Sequence, residues 1–231
     1  MSPVIGFAKQ AWRDPSRRNL LLTVGAGLTV QFMLVITGPF LARLLGPAGR
    51  GDLAALMLWP VVLVQLGCLG IPSALTYYVS SGAPWRATIR RAMGFAGWQL
   101  GLLTAAQAAI ALTVFADRDA EVRQAAVIRI AAVAGLLAQE YGQAILQARS
   151  DMRAFNVLRL LPISLFAAAV IVLFVLSASL VAVVVSWVAA VVLIGGVTLA
   201  FALTRRAAPV SDHTKGLPAD RALLSYGLAA S

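Results

Sequence analysis

The chain holds one cysteine and one histidine in 231 residues, and only nine carboxylates against nineteen lysines and arginines. Each scarcity closes a class of function. A lone Cys68 excludes an intrachain disulfide framework and any cysteine-built zinc site. His213 stands in a polar stretch, Pro209-Val210-Ser211-Asp212-His213-Thr214, and reads as a solvated side chain. The sequence carries no HExxH, no glycine-rich phosphate loop ending in Lys-Ser/Thr and no GxSxG. Its loop carboxylates (Asp52, Asp117, Asp119, Glu121, Asp151, Asp212) lack the pairing that metal or general-base chemistry needs. An enzyme is therefore not expected, and neither is a metal or a cofactor.

Charge is also scarce overall. Only 12% of residues are charged while 60% are hydrophobic, and the mean hydropathy is +0.86. That is not the composition of a soluble domain. The formal net charge of +10 could suggest nucleic acid. The basic residues are dispersed between apolar runs, not gathered into a patch, so nucleic acid is not an expected partner.

What the chain has instead is long apolar runs. Six segments lie near the roughly 20 residues a spanning helix needs, at 20–42, 53–79, 92–115, 125–147, 157–176 and 180–203. They are continuously apolar, not alternating, which disfavours a β-barrel. Short connections make neighbours antiparallel. The pattern predicts an all-α polytopic membrane protein in three parts. These are a basic leader at 1–19, a six-helix transmembrane bundle at 20–203, and a connection at 204–231. The leader reads either as a short amphipathic surface helix or as a plain basic tail. The first run is too long for the apolar core of a cleaved signal.

Lysines and arginines set the orientation. Four lie in the leader (Lys9, Arg13, Arg17, Arg18), three in the second connection (Arg86, Arg90, Arg91), three in the fourth (Arg149, Arg153, Arg159) and four after the sixth run (Arg205, Arg206, Lys215, Arg221). The opposite side has Arg43, Arg50, Arg118, Arg123 and Arg129. The amino terminus is expected on the cytoplasmic side of a bacterial-type inner or plasma membrane.

Segment 125–147 is polar as no other run is. Arg129, Gln139, Glu140, Gln143 and Gln147 fall at about 80°, 0°, 100°, 40° and 80° on an ideal wheel. They share one third of the helix. An intramembrane charge faces protein, water or a partner. Glu140 cannot reach an interface, so it is neutralised, paired or wet, and it is the candidate for proton coupling. Arg129 lies about 10 Å from the midpoint of its segment and has snorkelling as an alternative. Two readings of the stripe stand: cavity-lining residues, or polar glue between helices. Gln31, Gln65, Gln99 and Gln107 fit either. Gly38, Pro39, Pro60 and Pro72 interrupt the first two runs as hinges facing a cavity or as ordinary kinks.

Two stretches carry a family resemblance. One is Ala42-Arg43-Leu44-Leu45-Gly46-Pro47-Ala48-Gly49-Arg50-Gly51-Asp52-Leu53, and the other is Leu69-Gly70-Ile71-Pro72-Ser73-Ala74-Leu75-Thr76-Tyr77-Tyr78. Together they resemble the amino-terminal hairpin of polysaccharide-biosynthesis membrane proteins. These are the oligosaccharide flippases of the multidrug/oligosaccharidyl-lipid/polysaccharide exporter superfamily. Asp151-Met152-Arg153-Ala154-Phe155-Asn156-Val157-Leu158-Arg159 is similar to that family's cytoplasmic turn. The resemblance implies two six-helix bundles around a central cavity and alternating access that moves a lipid-linked sugar diphosphate to the outer leaflet. It also implies cavity arginines that meet the diphosphate. Arg43 matches the family's hairpin arginine. No family site motif maps onto Arg129 or Glu140, which rest on the helix-face argument.

Substrate contacts are therefore expected from Arg43, Arg129, Gln139, Glu140 and Gln143, with membrane lipids and a second six-helix bundle as partners. The chain carries half the expected spans, so that bundle is a missing carboxy-terminal half or a partner chain. Leu223-Leu224-Ser225-Tyr226-Gly227-Leu228 reads as the start of a seventh span, similar to Leu21-Leu22-Thr23-Val24-Gly25-Ala26. The alternatives are a cation-coupled multidrug exporter of the same superfamily and a non-transporting membrane scaffold. The first run lacks the carboxylate that the exporter reading favours.

Overall fold

A computed structural model describes residues 15–204, and every element among them is helical. The expected basic leader, apart from its last residues, and the start of a seventh span lie outside the described residues. In chain order the helices are α1 (Pro15–Gly67), α2 (Ile71–Ser80), α3 (Trp85–Thr113), α4 (Ala120–Ile128), a 3₁₀ turn at Arg129–Ala131, α5 (Ala132–Ala148), α6 (Met152–Val175) and α7 (Leu180–Thr204).

Among the described residues four helices are long and apolar enough to cross a membrane: 21–67, 85–113, 152–175 and 180–204. The sequence pattern predicts six spans, and the difference arises at two places. The runs at 20–42 and 53–79 are not joined by a loop, because helix continues from Pro15 to Gly67 and departs from helical torsions at Gly46 (φ 68°, ψ −179°). Those torsions are close to glycine-only, so Gly46 divides α1 into arms at 15–45 and 47–67. The fourth run is divided by the 3₁₀ turn at Arg129–Ala131, which leaves α5 only 17 residues long.

The expected hinges behave differently from one another. Pro39 and Pro60 sit inside α1, which stays helical through them and through Gly38. Pro72 instead occupies the first turn of α2, where a missing N–H costs nothing. The real break between α1 and α2 is just before it, at Leu69 (φ 48°) and Gly70 (φ 65°). Asp151 caps α6 by accepting a 3.2 Å hydrogen bond from the Ala154 backbone N–H.

Helix α5 is the hub, packing against α1, α2, α3, α6 and α7. Its tightest partner is α7. A methyl placed on Gly135 would lie 2.6 Å from the Val191 carbonyl oxygen, and one on Gly195 would strike the Gly135 carbonyl. Only glycine lets the two backbones meet at this depth. One core cluster gathers Ile71, Leu75, Val133, Tyr141 and Ile145, and the other gathers Leu56, Phe115, Ala125 and Val184.

The outer surface is strongly apolar, with Val35, Leu66, Leu112 and Val175 each more than two-thirds exposed. Such side chains, spread over the outer faces of several helices, form a surface suited to hydrocarbon and not to water.

Candidate functional site

The polar stripe of 125–147 separates into three environments. A 3₁₀ turn advances about 120° per residue where an α-helix advances 100°, so the turn at Arg129–Ala131 shifts everything before it by roughly 60° relative to α5. On the wheel that moves Arg129 to about 20°, still inside the sector of the other four, so the stripe is divided by the neighbours packed against each position and not by the turn.

Arg129 is wholly buried. Its Nη1 donates to the Leu56 carbonyl at 3.1 Å, and its guanidinium lies 4.4 Å from the centre of the Phe115 ring. With its amide oxygen facing the guanidinium, Gln107 accepts from Nε, Nη1 and Nη2 at 3.1–3.2 Å. No carboxylate pairs with Arg129 among the described residues. The expectation that Arg129 lines a cavity is corrected: its charge is spent on a carbonyl, an amide and an aromatic face. It pins the 3₁₀ turn to α1 and α3. It does not snorkel either.

Gln139 is also turned into the bundle. Its Nε2 donates to the Leu158 carbonyl at 2.9 Å, and its Oε1 accepts from Thr198 Oγ1 at 3.2 Å. It ties α5 to α6 and α7. Of the two readings of the stripe, polar glue describes Arg129 and Gln139.

The remaining three residues open outward. Glu140, Gln143 and Gln147 line a groove of about 150 Å³ with Pro72, Ser73, Thr76 and Phe155. Across its edge, Gln65 Nε2 donates to Glu140 Oε1 at 3.2 Å. Gln65 lies near the end of the second arm of α1, and Pro72, Ser73 and Thr76 open α2, so the groove lies just after the break at Leu69-Gly70. Thr76 Oγ1 shares its proton between the carbonyls of Pro72 and Ala144, each at 3.1 Å. Arg159 is exposed on α6.

The break is stabilised from behind. Gln99 Nε2 donates to the carbonyls of Gly67 at 2.8 Å and Cys68 at 3.2 Å, and Tyr141 Oη donates to Gln99 Oε1 at 2.7 Å. Carbonyls released where α1 ends are thus satisfied by side chains, as an apolar setting demands.

Arg43 is exposed on the first arm of α1, close before Gly46. The structure does not place it among the groove residues. Sequence reasoning did not find Ser73 and Thr76 as groove residues. Their signal is weak, because each belongs to a stretch that reads equally well as helix end or cytoplasmic turn. Among the described residues no group of histidine, cysteine and carboxylate side chains could hold a metal ion.

This is the architecture of an all-helical membrane protein with a polar groove beside a helix break. No protein family, curated protein or solved structure matches the chain.

Proposed function

We propose that the chain is one bundle of a membrane transporter that moves a lipid-linked oligosaccharide from the cytoplasmic to the outer leaflet by alternating access. One observation carries the transport half of this reading. The Glu140–Gln65 pair and the open polar groove lie beside an interruption between two helices, in a protein whose long helices carry many exposed apolar side chains. Broken helices with an ionisable residue at membrane depth are how transporters build a site, because free backbone and side-chain polar groups converge there. The substrate half rests on the hairpin resemblance at 42–53 and 69–78.

In this reading the two arms of α1 are separate crossings that meet at Gly46. The second span is the 47–67 arm continued by α2, and the fourth is α4, the 3₁₀ turn and α5 together. That restores six crossings with a cytoplasmic amino terminus, as the lysine and arginine distribution asks. Glu140 carries the coupling proton. Arg159, not Arg129, is the cation offered to an anionic group near the groove, while Arg43 serves at the far end of the first hairpin. A second bundle, from further sequence or a second copy, supplies the opposite wall.

The test is export of surface polysaccharide in cells that depend on this protein. Glu140→Gln and Arg159→Ala abolish export at unchanged membrane abundance, while Arg129→Met retains it. Normal export by both Glu140→Gln and Arg159→Ala sinks the site proposal.

A further inference from the structure

The first arm of α1 touches the rest of the bundle along one side. Ala26 and Thr37 are buried there, and the Phe40 ring meets Phe174 of α6 edge to face, 5.2 Å between centroids. On an ideal wheel these three α1 residues lie about 180–240° from Gln31.

The opposite side carries a seam. Leu21, Val24, Leu28, Gln31 and Val35 are spaced by three and four residues in alternation, the a/d repeat by which two helices interlock at a shallow left-handed crossing. All five are exposed, Leu28 and Val35 by 67% and 71%. The repeat has no partner helix among the described residues.

Gln31 distinguishes this seam from ordinary lipid-facing surface. It stands at the midpoint of the apolar run 20–42, about 16 Å from either end and too deep to reach water. Gln65, Gln99 and Gln139 each donate to another part of the bundle, and Gln107 accepts from Arg129. Thr29 and Thr37, on the same arm, bond to carbonyls of their own helix. The Gln31 side chain has no hydrogen-bond partner among the described residues. An amide left unpaired in hydrocarbon is strongly unfavourable.

We infer that this seam is the contact between two copies of the chain, related by a two-fold axis along the membrane normal, with Gln31 paired to its counterpart in the second copy. A carboxamide holds both donor and acceptor, so two of them satisfy each other through reciprocal N–H···O bonds. Copies inserted under the same distribution of lysine and arginine share one orientation. A two-fold axis then brings each seam residue to its own counterpart at the same depth. One polar position in an otherwise apolar a/d repeat fixes register and the number of helices. A different membrane protein would have to present an amide at that depth within the same repeat. The pairing needs membrane insertion and does not depend on transport.

Single cysteines in a Cys68→Ser background test the seam in the full chain, by copper–phenanthroline oxidation of membrane vesicles. Val24→Cys, Leu28→Cys and Val35→Cys are expected to form a species of twice the chain mass, in clear excess over Leu112→Cys and Val172→Cys, which are exposed on other helices. Energy transfer between labelled copies diluted in lipid vesicles measures their affinity. Gln31→Leu is expected to weaken it about tenfold, the worth of interhelical hydrogen bonds in a bilayer. Gln31→Asn, which keeps the carboxamide, stays closer to the unaltered chain. Seam yields no greater than those at Leu112→Cys and Val172→Cys overturn the inference. So does a crosslinked species of another mass in place of the dimer, which would mark a different partner, and so does equal affinity of Gln31→Leu and the unaltered chain. A stable pair that exports no polysaccharide supports the seam and counts against the transport reading alone.

Discussion

Gln65 and Glu140 lie 75 positions apart in sequence and meet at 3.2 Å across the mouth of a polar groove. The contact joins the end of the second arm of α1 to the middle of α5. It places the most deeply set carboxylate of the apolar segments beside the interruption between α1 and α2. A hydrogen bond between a neutral amide and a carboxylate at a partly open edge is modest in energy. Its value is positional, because it holds Glu140 toward the groove and away from the packed core.

The pairing of Arg129 with Gln107 makes a stability prediction with a sign. A buried guanidinium with neutral partners carries a desolvation cost that its hydrogen bonds repay only in part. Arg129→Met is expected to be neutral or to stabilise the fold by up to about 2 kcal/mol. Gln107→Leu, which strips the amide from a retained charge, is expected to destabilise by about 2–3 kcal/mol. In the Arg129→Met background the same change costs less than about 1 kcal/mol. Unfolding of the four proteins in mixed micelles measures the cycle, and additive effects would contradict the pairing.

Neighbouring glycines give an internal control on α5–α7 packing. A methyl on Gly195 runs into the Gly135 carbonyl, whereas one on Gly196 meets nothing within 4 Å. Gly195→Ala is therefore expected to destabilise by about 1–3 kcal/mol, because the obstacle is backbone and cannot rotate away. Gly196→Ala is expected to stabilise by up to about 1 kcal/mol through helix propensity alone. The same unfolding assay compares them, and equal effects would mean that the two helices are not in contact there.

These glycines also show where sequence reading stops. The apolar runs placed α7 to within a residue and α6 to within five, but began α3 seven residues late. Hydropathy has no term for a backbone torsion, so it gave a loop where Gly46 turns a continuous helix. It gave an unbroken span where the 3₁₀ turn sits at Arg129–Ala131. Arg129 keeps its place on the polar face, and what buries it are Leu56, Gln107 and Phe115 from other segments of the chain. Gln99 and Gln107 were visible as intramembrane amides, yet their partners, a pair of backbone carbonyls and a buried arginine, come from other helices.

Tyr141 tests the support behind the break. Tyr141→Phe removes the donor to Gln99 Oε1, a 2.7 Å contact between buried side chains, and is expected to cost about 1–2 kcal/mol. Gln99→Leu costs more, because it bares the Gly67 and Cys68 carbonyls. It also raises amide hydrogen exchange at residues 67–71. Unchanged exchange in Gln99→Leu would show that the break holds without it.

The central claim is that the Glu140 groove is wet and belongs to a translocation path, while the Arg129 cluster is dry. Single cysteines test it most directly. In a Cys68→Ser background, cysteines at Ser73, Gln143 and Gln147 are labelled in membrane vesicles by a water-soluble, membrane-impermeant thiol reagent. Cysteines at Ala132 and Val133, both fully buried, serve as packed controls, and one at the exposed apolar Val172 serves as the lipid-facing control. The account predicts labelling at the three groove positions and none at the controls. Groove cysteines as silent as those at Val133 and Val172 would contradict it.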